Sequence, residues 1–175
     1  MAKSRLAGIL TSSERRSLNA AMLEDVLGAI HRASGIDEIT LISDDPIVTR
    51  LASKYGSDVF SERKAGTRTL NDVLAAACDQ IGQRSEGRIL IAHSDLPSLR
   101  ASDLEAVIRR GAVVGTDVVL GPDAADEGTN MMLFSTDNRP ALLFGANSFS
   151  RHRHDLRRRG LTFAITRRPG IANDV

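Results

Sequence analysis

The stretch ILIAHSDLPSL, residues 89–99, decides the fold. Ile89 to Ala92 are four consecutive apolar residues, which is how a strand covered on both faces reads when helices flank a parallel sheet. Within three positions the composition turns to His93, Ser94 and Asp95, with Pro97 close behind. An ionised carboxylate at the mouth of a buried strand costs free energy unless something compensates it. A bound cation is one answer for Asp95, and a turn in which Asp bonds the backbone ahead of Pro97 is the other. The residues alone leave both open.

Working outward, the same grammar repeats. TRTLNDVLAAACDQIG ahead of the strand has the apolar spacing of a helix, and SDLEAVIRRG behind it reads as another, with Ser102 as the expected cap. TDVVLGP follows as a strand. Toward the N-terminus, SDVFS and EITLIS read as strands separated by the helix IVTRLASKYG, which stops at Gly56. Thr11, Ser12 and Ser13 open a long amphipathic helix that ends near Gly35. Strands alternating with helical segments of ten or more residues specify an α/β protein, a mostly parallel sheet with helices on both faces in three αβα layers. After GPDAADEGTN the alternation gives way to two short apolar runs, MMLFS and ALLFG, then a helical SFSRHRHDLRRRG and a strand LTFAIT. With no internal repeat, low-complexity tract or linker, residues 1–175 read as a single domain, although the start MAKSRLAG is neither buried strand nor helix.

Bulk composition excludes several function classes. Lys and Arg total 23 against 22 Asp and Glu, a formal net charge of +1, so neither nucleic acid nor a membrane surface is an expected partner, and any electrostatics must be local. The lone Cys78 excludes an internal disulfide or a thiolate zinc cluster and fits a reducing cytoplasm; its place in an apolar helical run makes it a buried structural thiol. No apolar stretch reaches bilayer-spanning length and the N-terminus lacks a signal-peptide pattern. Neither a P-loop nor a GxGxxG run occurs.

In open α/β sheets ligands gather at the carboxyl ends of strands. Asp95 lies at such an end, as do Ser43, Asp44 and Asp45 and the loop PDAADEGTN. Within EGTN, Gly128 permits close approach while the Thr129 hydroxyl and Asn130 amide offer neutral hydrogen bonds to a small oxyanion; an ordinary loop is the plainer reading. Gly145 and Ser148 precede a helix whose N-terminus offers free amides and partial positive charge, and the basic run Arg151, His152, Arg153 and His154 in its first turn opposes the macrodipole, which suggests an anion nearby. Arg157 to Arg159 read as a solvated face. Lys3 and Arg5, in a small-residue context at the chain start, are placed to close on a polyphosphate.

Taken in order, AKSRLAGILTSSERRSLNAAMLEDVL, LISDDP, TLNDVLAAA, SDLP, VVLGPD, EGTN, FGANSFSRH and PGIAND resemble the CofC/FbiD family of guanylyltransferases over nearly the whole chain. The family makes the deazaflavin coenzyme F-420 and has a single-domain nucleotidyltransferase fold related to the GT-A glycosyltransferases. The resemblance implies condensation of GTP with a small phosphorylated acid, either phosphoenolpyruvate or 2-phospho-L-lactate, with 3-phosphoglycerate a further family substrate. It also implies release of pyrophosphate, magnesium as cofactor, a downstream transferase receiving a labile product, and a possible homodimer. By the same resemblance Asp95 and Lys3 are catalytic, and Asp95 and Asp174 hold the metal. Lys3, Arg5, Ser43, Asp44 and Asn71 face the nucleotide, and Thr129, Gly145 and Ser148 hold the phosphorylated acid. Family members carry a strand ahead of AKSRLA and continue past the position of Asp174, so the chain is expected to lack that first strand and C-terminal segment. Another nucleotidyltransferase, for the molybdenum cofactor or a sugar phosphate, and an inactive nucleotide-binding homologue are the alternatives.

Overall fold

A computed structural model describes residues 8–66 and 69–175. The first element of the described residues is α1 (Ser12–Arg32), capped by Thr11, whose hydroxyl accepts from the Glu14 amide while the Glu14 carboxylate accepts from the Thr11 amide. These reciprocal bonds satisfy two donors that a helix start otherwise leaves unpaired. Then follow β1 (Thr40–Ile42), α2 (Pro46–Lys54) and β2 (Asp58–Phe60), a parallel βαβ unit. A 3-10 turn, Glu62–Ala65, leads toward α3 (Leu70–Gly82). Next come β3 (Arg88–Ala92), α4 (Ala101–Gly111), β4 (Val118–Pro122) and β5 (Thr129–Ser135). The chain closes with α5 (Ser148–Arg158), β6 (Phe163–Ile165) and the short α6 (Pro169–Ala172).

Among the described residues, four strands form one sheet in the order β3-β5-β4-β6, and β1 and β2 form a separate parallel pair. β5 is antiparallel to both neighbours while β4 and β6 are parallel, so β3, β4 and β6 all run one way with β5 reversed between them. The reversal follows from the short 123–128 connection, too brief for the crossover that a parallel neighbour requires.

The three layers are visible in which side chains meet. On one face Val26 and Ala29 of α1 and Leu104 and Val107 of α4 pack with Val119, Met131, Leu133 and Ala164. On the other, Leu74 and Cys78 of α3 and Phe149 and Leu156 of α5 pack with Val118, Leu120, Met132 and Phe134. Residues of β3 divide the same way, Leu90 and Ala92 to the first layer and Ile89 and Ile91 to the second, as a strand covered on both sides must. Cys78 is buried in that second layer, where desolvation pushes its thiol up to about 11, so it is an inert packing group.

One local expectation is corrected. α4 begins one residue ahead of Ser102: Arg100 is the cap residue, and the buried Asp103 accepts from the Arg100 amide at 3.1 Å and from Arg168 Nε at 2.9 Å. The tether from Arg168 fixes Asp103 and with it the helix start. The run ALLFG is irregular chain that buries Phe144 in the second layer.

Candidate active site

The carboxyl end of β3 and the start of β5 lie side by side, because the His93 amide continues the ladder by donating to the Asn130 carbonyl at 3.0 Å. Here the β4–β5 register slips: Gly121 faces Met131 but Pro122 faces Thr129, one step against two, so Asn130 is an extra residue on β5. Such a bulge re-aims the side chains beside it. Alternation counted from Met131 and Leu133 would turn Thr129 to the α1–α4 face. With the extra residue, Thr129 instead meets α5 while Asn130 meets α6.

Asn130 is buried, and its amide nitrogen donates to the Ile171 carbonyl at 2.9 Å and to Asp174 Oδ1 at 3.1 Å. The Val175 amide donates to the Asp95 carbonyl at 3.3 Å. The half-buried Asp95 and the exposed Asp174, 79 residues apart in sequence, are thereby drawn to one edge of the sheet. Asn130, read from sequence as a donor to an oxyanion, spends its amide on the C-terminal segment instead. Among the described residues no group of three or more His, Cys, Asp or Glu side chains could hold a metal ion. A pair of carboxylates is nevertheless the protein donor set magnesium prefers, since it takes one or two and fills its octahedron with phosphate oxygens and water. The donors here are oxygens only, which fits that ion.

On the other side of the bulge, the Thr129 amide donates to Ser148 Oγ at 2.8 Å, and Thr129 Oγ1 lies 2.9 Å from His152 Nδ1. Nε2 of the same imidazole accepts from the Leu143 amide at 2.9 Å. His152 is buried, and desolvation first, then the positive charge of Arg151, pushes its pKa down to about 4. It is therefore a neutral ring that ties three segments together, not part of a cationic cluster. Its signal was present in the sequence: four residues after Ser148 it lies on the same helix face as Ser148, and that face also carries Phe149 and Leu156.

The start of α5 also differs from the expectation of free amides. Those of Ser148, Phe149 and Arg151 already donate to the carbonyls of Gly145, Glu127 and Asn147. Asn147 caps the helix in the left-handed region, φ 54°, and Gly145 has φ 118°, a conformation that favours glycine. Gly145 is exposed and its carbonyl accepts from the Ser148 amide, so Thr129, Ser148 and Gly145, the three residues expected to hold the acid, lie together.

Asn71 joins this group from α3. Its side chain donates to the Phe144 carbonyl at 3.1 Å and accepts from the Phe144 amide at 2.8 Å, a double clamp on the residue before Gly145. The Phe144 ring lies between His93 and His152, with centroids 5.5 and 5.0 Å away. Ser43 and Asp44 stand apart, at the β1 end. Ser43 Oγ accepts from the Asp45 amide, and Asp44 accepts from the Ser61 hydroxyl and the Arg63 amide. Among the described residues no hydrogen bond joins that loop to the Thr129 group. Lys3 and Arg5 lie outside the described residues.

An αβα sandwich with one reversed strand in its sheet places the chain in the nucleotide-diphospho-sugar transferase class of α/β folds. A structure assigned as a nucleotide-diphospho-sugar transferase from Desulfovibrio desulfuricans G20 superposes with a TM-score of 0.79 at 16% identity, covering 99% of this chain and 75% of that one. A 4-diphosphocytidyl-2C-methyl-D-erythritol synthase from Anaerococcus prevotii does so at 0.64 and 14%, covering 88% of this chain and 79% of that one. The family described as guanylyl transferase, CofC like, matches residues 1–168. The chain is 34% identical over 174 residues to the phosphoenolpyruvate guanylyltransferase of Sphaerobacter thermophilus, spanning 99% of this chain and 82% of that protein. It is 35% identical over 164 residues to the 2-phospho-L-lactate guanylyltransferase of Methanothermobacter thermautotrophicus, spanning 94% and 70%. The chain belongs to the CofC-like guanylyltransferase family.

Proposed function

We propose that this guanylyltransferase condenses GTP with phosphoenolpyruvate or 2-phospho-L-lactate and releases pyrophosphate, as a cytoplasmic step in making the deazaflavin coenzyme F-420. The observation that carries the reading is the bulge at Asn130. One residue reaches Asp174 on the carboxylate side and its chain neighbour Thr129 reaches Ser148 and His152 on the other, so both half-sites hang on a single strand end. The relatives' names supply the two acids.

Both acids carry a phosphate and a carboxylate on one carbon skeleton, and both groups are anions that neutral hydroxyl donors recognise. A phosphate oxygen of the acid attacks the α-phosphorus of GTP, the new P–O bond forms, the bond to the β-phosphate's bridging oxygen breaks, and pyrophosphate leaves. No protein nucleophile takes part. Asp95 and Asp174 would hold magnesium, which when bound offsets charge on the triphosphate. Thr129 and Ser148 orient the acid, Gly145 keeps the wall open there, and Asn71 fixes the 144–145 segment. Lys3 and Arg5 contact the triphosphate, with Lys3 offsetting charge as it develops, and the Ser43–Asp44 loop shapes the nucleotide end. The product's phosphoanhydride is labile in water, which favours hand-over to a downstream transferase; a homodimer is compatible with the reading.

The test is pyrophosphate release in magnesium with GTP and each acid, beside thermal shifts with GTP, CTP and UTP. The expected result is selective stabilisation by GTP and release only when an acid is present. Preference for CTP or UTP, or guanine-nucleotide binding with no release for any acid, overturns it.

A further inference from the structure

Thr129 and Ser148 are 1% and 2% exposed, yet among the described residues each hydroxyl has one hydrogen-bond partner. Ser148 Oγ accepts from the Thr129 amide, so its own proton has no acceptor among the described residues. The role of Thr129 depends on the tautomer of His152. An amide N–H can donate only to a ring nitrogen that carries a lone pair, and the Leu143 amide points at Nε2. The neutral ring therefore carries its proton on Nδ1 and donates it to Thr129 Oγ1, 2.9 Å away. Thr129 is then an acceptor toward His152, and its proton too is unspent. Two buried hydroxyls, adjacent through the Thr129 amide, each retain a donor, and buried donors without acceptors are costly to keep.

We propose that His152 is a positioning residue, acting through Thr129: its Nδ1–H bond fixes the Thr129 hydroxyl as a donor, paired with that of Ser148, to the anionic group of the phosphorylated acid. The inference rests on the guanylyltransferase reading above and adds a residue that does not itself touch substrate. The opposite tautomer would turn Thr129 into the donor toward His152 and leave its hydroxyl no proton for the acid. The Leu143 amide prevents that, and burial keeps the ring neutral, so Nε2 stays free to accept. Phe144, whose ring packs on His152 and whose backbone is clamped by Asn71, holds the ring in place.

Two measurements test this. Two-bond proton–nitrogen spectra of the wild-type protein at neutral pH should show His152 neutral with its proton on Nδ1; an Nε2–H ring or an imidazolium overturns the inference without any variant. In kinetics, His152→Gln keeps an acceptor where Nε2 stands but loses the Nδ1 donor, and should raise KM for the acid about five- to tenfold, the scale of one lost hydrogen bond, with KM for GTP unchanged. His152→Asn, which restores a donor at the Nδ1 position, should recover most of that loss. Thr129→Val should match His152→Gln, and the double variant should be no worse than either. Equal rises in both KM values, an Asn variant as poor as Gln, or multiplicative effects in the double variant contradict the proposal. Should His152→Gln fail to fold, the tautomer and a comparison of Thr129→Val with Thr129→Ser decide. A wild-type protein that turns over no acid removes the parent reading, and this inference with it; wild-type turnover left unchanged in His152→Gln removes this inference alone.

Discussion

The side-chain amide nitrogen of Asn130 donates to Asp174 Oδ1 at 3.1 Å, while the backbone carbonyl of the same residue accepts from the His93 amide at 3.0 Å. One bulged residue thus links the end of β3, two positions before Asp95, to the last residues of the chain. If the site works as proposed, Asp95→Asn removes charge from the metal end and leaves the backbone bond to Val175 in place. The turnover number should fall roughly 100- to 1000-fold, the usual cost of deleting one preorganised electrostatic group, with an unchanged circular dichroism spectrum. Turnover within a fewfold of wild type would show that Asp95 only shapes its turn.

Asn71→Ala should cost about 1–3 kcal/mol in urea unfolding, because it strips both bonds from the buried Phe144 backbone. Since Gly145 follows directly, KM for the acid should rise in the same variant. An unchanged midpoint would mean that water replaces both bonds at no cost.

His152 makes stability depend on pH. Its folded pKa of about 4 lies below the ordinary 6.5, so between these values the unfolded chain binds more protons. Stability is therefore full above pH 6.5 and lost as pH falls toward 4, with a slope of at most about 1.4 kcal/mol per pH unit. Arg151 reinforces the depression and Asp155 opposes it, burial being the larger cause. Urea midpoints measured from pH 7 to 5 should fall more steeply in wild type than in His152→Asn; parallel curves would contradict a buried neutral ring.

Gly170→Ala should destabilise by about 1–3 kcal/mol, as overpacking does. A Cβ there would stand 2.8 Å from the Ser98 carbonyl oxygen and 3.0 Å from Leu99 Cα, backbone atoms that cannot swing aside. Because α6 leads into Asp174, the variant should also raise the magnesium concentration needed for half-maximal turnover. Wild-type stability would mean that α6 docks more loosely than described.

Much of the frame was legible in the residues. Ile89 to Ala92 declared a doubly covered strand, and the capped, amphipathic segments around it declared the helical layers, because burial leaves a periodic trace. The gathering of Thr129, Gly145 and Ser148 followed from matched segments and is reproduced. What stayed hidden is what alternation conceals: the extra residue at Asn130 has no composition signal, yet it decides which face Thr129 and Asn130 take. His152 was misread as a cation because a string of Arg and His looks solvated until the helix face is drawn. The Asn71 clamp spans 73 residues, a separation no local pattern reports.

Manganese in place of magnesium offers the sharpest check on where the cation sits. With GTP present, paramagnetic broadening of backbone amide resonances should centre on His93, Asp95, Asn130 and Val175 in wild type and vanish in Asp95→Asn. Broadening centred elsewhere, or persisting undiminished in that variant, would contradict a divalent ion held at the Asp95–Asp174 edge.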